Sequence, residues 1–228
     1  MSRFACAVAL TVTLALVPAS GAVLWFTDLD LGTNVISAAL ALAGKTGVQA
    51  TGTTDFVTQL GSATWEAVIL GEQNGFIWGD VSGAMAAYLA GGGRVIGATW
   101  LTGGFDAFME ASIVSTNDNP ILTDGHPIFS GLGASISLTN PGWGTYAISW
   151  TPTGTAVGIG TLGAGSAVIL GNNGRTFLNA PLFDSYASPS EGAQLVANEL
   201  NFLTVPEPAS PLLIGCGLVA VSIALRRR

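Results

Sequence analysis

Cysteine is nearly missing from this chain. Its two copies, Cys6 and Cys216, both sit in hydrophobic stretches towards the ends, and none occurs between residues 23 and 205. That stretch therefore forms no disulfide, no thiolate metal site and no cysteine nucleophile. Histidine is almost as scarce. His126 stands alone, which excludes an imidazole-rich metal centre, and neither a metal nor a cofactor is expected. Positive charge is thin as well. Between residues 23 and 205 only Lys45, Arg94 and Arg175 stand against 13 acids, a net charge of −10. Without a Lys/Arg cluster, nucleic acid is not a partner. The acidic excess repels anionic surfaces and favours solubility. The 31 glycines follow no fixed period, which argues against a fibrous repeat. A stretch of about 180 residues needs no cross-links, because it can bury a core of its own.

Both ends carry export features. Arg3 precedes an apolar run from Phe4 to Val17, Pro18 breaks it, and Ser20-Gly21-Ala22 supplies small residues. Residues 1–22 thus read as a leader that signal peptidase cleaves at Ala22. Towards the other end, Pro206-Glu207-Pro208 is followed by an uncharged apolar run from Ala209 to Leu225 and then by Arg226, Arg227 and Arg228. As a helix the run is roughly 26 Å long, at the short end of what crosses a hydrocarbon core of about 30 Å. The arginines resist translocation, so the preceding chain is expected outside the inner membrane. A plain membrane anchor is the simpler alternative. The three parts in this order resemble the PEP-CTERM sorting signal of Gram-negative bacteria, assigned here to residues 205–228. The resemblance implies that exosortase reads the tripeptide and removes the tail after transient inner-membrane anchoring. It also implies a periplasmic, outer-surface or extracellular destination, with exopolysaccharide as a partner.

The body, residues 23–204, alternates strand-like and helix-like segments. Strands are expected at 23–27, 47–51, 65–71 and 94–99, and helices at 34–43, 55–60 and 81–90. Short apolar strands separated by helices argue for βαβ units and a parallel sheet covered on both faces. A short helix is expected at 105–110. From Ser112 the chain becomes rich in Thr, Ser and Gly, with strands expected at 113–115, 135–138, 146–150, 156–159 and 167–170. Asn172-Asn173-Gly174 suits a tight hairpin turn into 175–178, because these residues tolerate positive φ. An amphipathic helix is expected at 190–202. The fold class is thus α/β, a mostly parallel sheet with additional antiparallel strands in the C-terminal half. Four features in order carry a further resemblance. These are the first strand with Asp28 and Asp30 after it, Trp65-Glu66-Ala67-Val68-Ile69-Leu70, Tyr88 to Ile96 with its three glycines, and His126-Pro127-Ile128-Phe129-Ser130-Gly131-Leu132. Together they resemble the class I glutamine amidotransferase-like fold, which implies a flavodoxin-like doubly wound sheet.

Catalytic members of that family place a Cys on the turn after the fourth strand and activate it with a His two residues before a Glu. Thr99 stands about where that Cys would be, and His126 is followed by Pro127 and Ile128. A Thr hydroxyl needs a positioned base to become a nucleophile, so no catalytic residue is assigned and the chain is not expected to be an enzyme. Asp28 and Asp30 resemble the acids of haloacid-dehalogenase-like phosphatases, but Leu31 interrupts the pattern before Gly32-Thr33. They are expected ahead of the first helix, whose amides stabilise negative charge. Asn117-Asp118-Asn119 and Asp124 supply oxygen ligands of the kind Ca²⁺ takes, at no recognised spacing. Trp78, Trp100, Trp143 and Trp150 fall in or beside loops, where they either cover the core or stack on a sugar. The crevice at the strand C-termini is the expected ligand position, with Asp28, Asp30, Thr99, Trp100 and His126 as its candidates. Three functions follow: an exported non-catalytic surface or matrix protein, a carbohydrate- or small-ligand-binding module, and a hydrolase using Asp28, Asp30 or Asp184.

Overall fold

The computed structural model of the chain describes residues 21–144 and 146–204. The apolar run, the Pro206-Glu207-Pro208 tripeptide, the three terminal arginines and all of the leader but Gly21 and Ala22 lie outside the described residues. Among the described residues no helix is long and apolar enough to cross a membrane.

The first half alternates strand and helix: β1 Ala22–Thr27, α1 Ile36–Leu42, β2 Thr46–Gln49, α2 Thr53–Ser62, β3 Ala67–Glu72, α3 Trp78–Ala90, β4 Val95–Thr99 and α4 Phe105–Phe108. Strands then dominate: β5 Ala111–Thr116, β6 Ile121–Leu122, β7 Ser135–Ile136, β8 Ile148–Pro152, β9 Val157–Leu162, β10 Gly165–Gly171 and β11 Thr176–Asn179. Helix α5, Pro189–Thr204, follows. One sheet runs β2-β1-β3-β4-β11-β10-β9-β6-β7, with β8 joined to β5 and β10. The pairs β1–β2, β1–β3, β3–β4 and β4–β11 are parallel, and the pairs beyond β11 are antiparallel. Counting β11 as the fifth parallel strand, the order is 2-1-3-4-5, the flavodoxin-like doubly wound arrangement.

Burial explains the parallel half. Every residue of β3 and β4 is buried, as strands covered by helices on both faces require. Helix α1 packs beside α5, and α2 beside α3. Fully burying one aliphatic side chain such as Ile69 or Leu70 contributes about 1.5–3 kcal/mol relative to exposure. Gly97 in β4 leaves room for Phe105, since an added Cβ would stand 2.6 Å from that ring. In the antiparallel half, Asn172 and Asn173 take φ of 52° and 57° and Gly174 takes 80°. They turn β10 back onto β11, where Gly171 pairs with Thr176.

A polar cluster lies beneath the sheet. Glu199 of α5 is fully buried, and one of its carboxylate oxygens accepts from Asn179 Nδ2 at 2.9 Å. Its other oxygen, Asn179 Oδ1 and the Tyr186 hydroxyl have no hydrogen-bond partner among the described residues. Burial pushes the Glu199 carboxyl up to about 8, against the opposing hydrogen bond from Asn179. Burial, and then the nearby Glu199 charge, push the Tyr186 phenol well up.

Candidate functional site

In a sheet of this order the chain leaves β1 towards β2 on one side and β3 on the other, and ligands bind outside the strand C-termini at that switch. Asp28 follows β1 there. Its carboxylate accepts from the backbone N–H groups of Gln73 (2.6 Å), Asn74 (2.9 Å) and Gly75 (2.6 Å). Three charge-assisted bonds to successive amides pin the β3–α3 loop. Asp28 therefore holds a loop 45 residues further along the chain, where the sequence placed it beside the first helix.

The pinned loop orients two indoles through Gln73. Trp100 Nε1 donates to the Gln73 carbonyl at 2.7 Å. The Gln73 side-chain amide, in the orientation that satisfies both neighbours, donates to Leu29 O at 2.8 Å and accepts from Trp143 Nε1 at 3.3 Å. Trp100 and Trp143 meet edge to face, with centroids 5.9 Å apart and planes at 74°. Trp143 is set from its own side as well. The buried Asn140 accepts from the Gly142 and Trp143 N–H groups at 3.0 and 2.9 Å and donates to Ser185 Oγ at 3.0 Å. Leu31 packs so closely on Gly142 that an added Cβ would stand 2.1 Å from it. The result is an open crevice of about 380 Å³ lined by Gln73, Asn74, Trp100, Leu101, Thr116, Trp143 and Ile148. None of these side chains is charged.

Behind the crevice, Thr99 and Glu72 form a closed pair, both with 0 % exposure. Thr99 Oγ1 donates to one Glu72 oxygen at 2.9 Å and accepts from Leu101 N at 2.9 Å. The other Glu72 oxygen accepts from Trp78 N at 3.0 Å, at the start of α3. Burial raises the Glu72 carboxyl above its ordinary range, with repulsion from Asp28 and Asp106 adding to it. The bonds from Trp78 and Thr99 oppose that rise. Among the described residues, the non-glycine residues with positive φ are Glu110, Asn117, Asn172 and Asn173. Thr99 is therefore not on the strained elbow that exposes a nucleophile.

Of the five crevice candidates, Trp100 lines the crevice, Asp28 holds the backbone of Gln73 and Asn74 at its wall, Thr99 is sealed behind it, and Asp30 lies close enough to Asp28 to feel its charge. Asp30 accepts from Thr27 Oγ1 (3.1 Å) and Asn34 Nδ2 (2.8 Å). Partial burial raises its carboxyl, with Asp184 and Asp28 adding to the rise and its two hydrogen bonds opposing it. His126 is elsewhere. It begins the 3-10 turn Pro127–Phe129 and packs on Phe202 of α5, with centroids 5.3 Å apart. Its imidazole is lowered by burial, against the Asp124 charge. Asp184 accepts from the Leu31 and Gly32 N–H groups at 2.5 and 3.0 Å, holding the loop after β1. Asp124 accepts from the N–H groups of His126 and Gly160, each at 2.8 Å, whereas Asp118 takes the Ser115 hydroxyl. No three His, Cys, Asp or Glu side chains converge in a metal-holding arrangement among the described residues. Trp78 packs against Phe105 and Phe108, and Trp150 has 0 % exposure. Those two tryptophans belong to the core. Ala22 opens β1, where it pairs with Thr46, and its carbonyl accepts from Glu66 N at 3.0 Å. A cut after it would take one residue from that strand.

Sequence reasoning missed Glu72, Gln73, Asn74 and Asn140. A Glu and a Gln directly after an otherwise apolar strand were the available signal.

Comparison with known proteins adds two findings. Residues 204–228 match the PEP-CTERM protein-sorting motif. No curated protein matches the chain in sequence, but solved structures match its fold. A GMP synthase component from Thermoplasma acidophilum superposes with a TM-score of 0.55 at 10% identity, covering 80% of this chain and 94% of that one. A cytoplasmic protein from Salmonella typhimurium gives 0.53 at 8% identity, over 80% and 98%. A glutamine amidotransferase from Methylobacillus flagellatus gives 0.50 at 9% identity, over 83% and 98%. The chain thus carries a PEP-CTERM protein-sorting motif, the mark of an exported protein handled by exosortase, behind a body with a glutamine amidotransferase-like fold.

Proposed function

We propose that the chain is an exported, non-catalytic cell-surface or exopolysaccharide-matrix protein. Its amidotransferase-like body serves as a binding scaffold. Signal peptidase removes residues 1–22, and exosortase reads Pro206-Glu207-Pro208 and releases residues 23–204. The observation that carries this reading is the closed Thr99–Glu72 pair. A nucleophile must be reachable by substrate and must meet a base that a third group orients. Thr99 is sealed, and His126 lies against α5. Of the acids a hydrolase would use, Asp28 and Asp184 are occupied by backbone amides that fix loops, and Asp30 by the Thr27 hydroxyl and the Asn34 amide.

Two measurements test the proposal. The purified full chain should release no ammonia from glutamine above a denatured control. Release that Thr99→Ala removes would overturn the non-catalytic reading. In the native host, Glu207→Ala leaves the apolar run intact, so the variant should accumulate unprocessed in the inner membrane. Normal processing of that variant would leave only a plain anchor.

A further inference from the structure

We propose that the crevice between Trp100 and Trp143 binds a neutral sugar, one or two hexopyranose rings in size, with a ring face laid on the Trp143 indole. Such binding presupposes the non-catalytic scaffold proposed above and names its ligand class. Three observations carry it.

The first is the state of the indoles. Both N–H groups are taken by Gln73, so what remains for a ligand is apolar ring face and C–H edge. Trp143 is 47% exposed, yet Asn140 and the Leu31–Gly142 contact hold it in place. Ordering an exposed aromatic before a ligand arrives lowers the cost of binding. The second is the polar rim. Asn74 and Thr116 line the same crevice, and amides and hydroxyls both donate and accept. A pyranose has the matching chemistry, with an apolar C–H face and a rim of hydroxyls that also donate and accept. The third is charge. The lining holds no cation, while Asp28 and Asp106 lie close enough to raise the Glu72 carboxyl behind it. A phosphate, carboxylate or uronic acid would meet only negative potential there. The volume of about 380 Å³ lies towards the small end of ligand clefts, which run from about 300 to 1,000 Å³.

The test uses the full chain in a zwitterionic detergent without a sugar headgroup. Cellobiose, maltose and lactose are titrated by tryptophan fluorescence and calorimetry, with digalacturonate as the anionic comparison. At least one neutral disaccharide should bind saturably, and digalacturonate should bind more weakly than it. Trp143→Ala should weaken that binding by about tenfold or more while melting like the parent, because the residue stands at the surface. Asn74→Ala should weaken it less. Failure of all three neutral sugars to saturate, equal binding of digalacturonate, or undiminished binding by Trp143→Ala would overturn the proposal. Reducing ends are followed in the same samples. Their release would refute the non-catalytic reading instead, so the two failures are distinguishable.

Discussion

Two fully buried glutamates show how differently one fold treats the same side chain. Glu72, at the crevice end of β3, has both oxygens bonded, one by the first amide of α3 and one by Thr99. Glu199, beneath the sheet, has one oxygen on Asn179 and one with no partner among the described residues. At the strand C-termini, loops and a helix start bring N–H and O–H groups to a carboxylate. Under the sheet, α5 brings mostly Leu, Val and Ala side chains. The first environment turns a buried acid into a fastener. The second holds a carboxyl in its protonated form, raised to about 8.

The pH dependence of stability separates the two most widely. The unfolded chain releases the Glu199 proton near the ordinary value of 4.5, whereas the folded chain keeps it to about 8. In that window the folded state binds more protons, so stability falls as pH rises, by up to about 1.4 kcal/mol per pH unit from this group. Urea melts of wild type and Glu199→Gln across the window should diverge, with the variant the more stable towards pH 8. Parallel curves would mean that Glu199 is ionised in the folded protein.

Glu72→Ala should come next in size. It strips the first amide of α3 of its acceptor and leaves the Thr99 hydroxyl only the Leu101 carbonyl at 3.1 Å, and costs about 2 kcal/mol. Chemical denaturation measures this, and a loss below that of Glu72→Gln would break the contrast with Glu199. Gly97→Ala probes the packing of Phe105 and Met109 on β4. With Phe105 2.6 Å from the added Cβ, it should lower stability by about 1–3 kcal/mol in the same assay. Trp143→Ala should change stability least, within ~0.5 kcal/mol, because Trp143 serves the crevice rather than the core. A large drop in melting temperature would assign Trp143 to the packing instead.

The parallel half was legible because its signals are local. Strands that read as apolar runs at 23–27, 65–71 and 94–99 became β1, β3 and β4, with ends shifted by one or two residues. The turn at Asn172-Asn173-Gly174 was visible in its positive-φ residues. Strand β6 was missed, since two residues carry no period. Helix α3 starts at Trp78, before the expected Val81, because the Glu72 carboxylate caps a segment that Gly79 weakens. The crevice was half legible. Asp28 and Trp100 stood out as an acid and an aromatic at strand ends. Their meeting with Trp143 runs through Gln73, which joins parts of the chain far apart in sequence, and no periodicity encodes such a junction. His126 was drawn into the crevice by its motif, whereas its ring follows apolar contact with Phe202.

The closed Thr99–Glu72 pair also fixes what a thiol would become at that position. A Thr99→Cys side chain would sit in a site with 0 % exposure beside an acidic partner. Burial and a neighbouring carboxylate both disfavour the thiolate. The introduced sulfur would be inert to alkylating reagents until the chain opened. A thiol placed at position 99 by a single substitution would therefore serve as a reporter of unfolding.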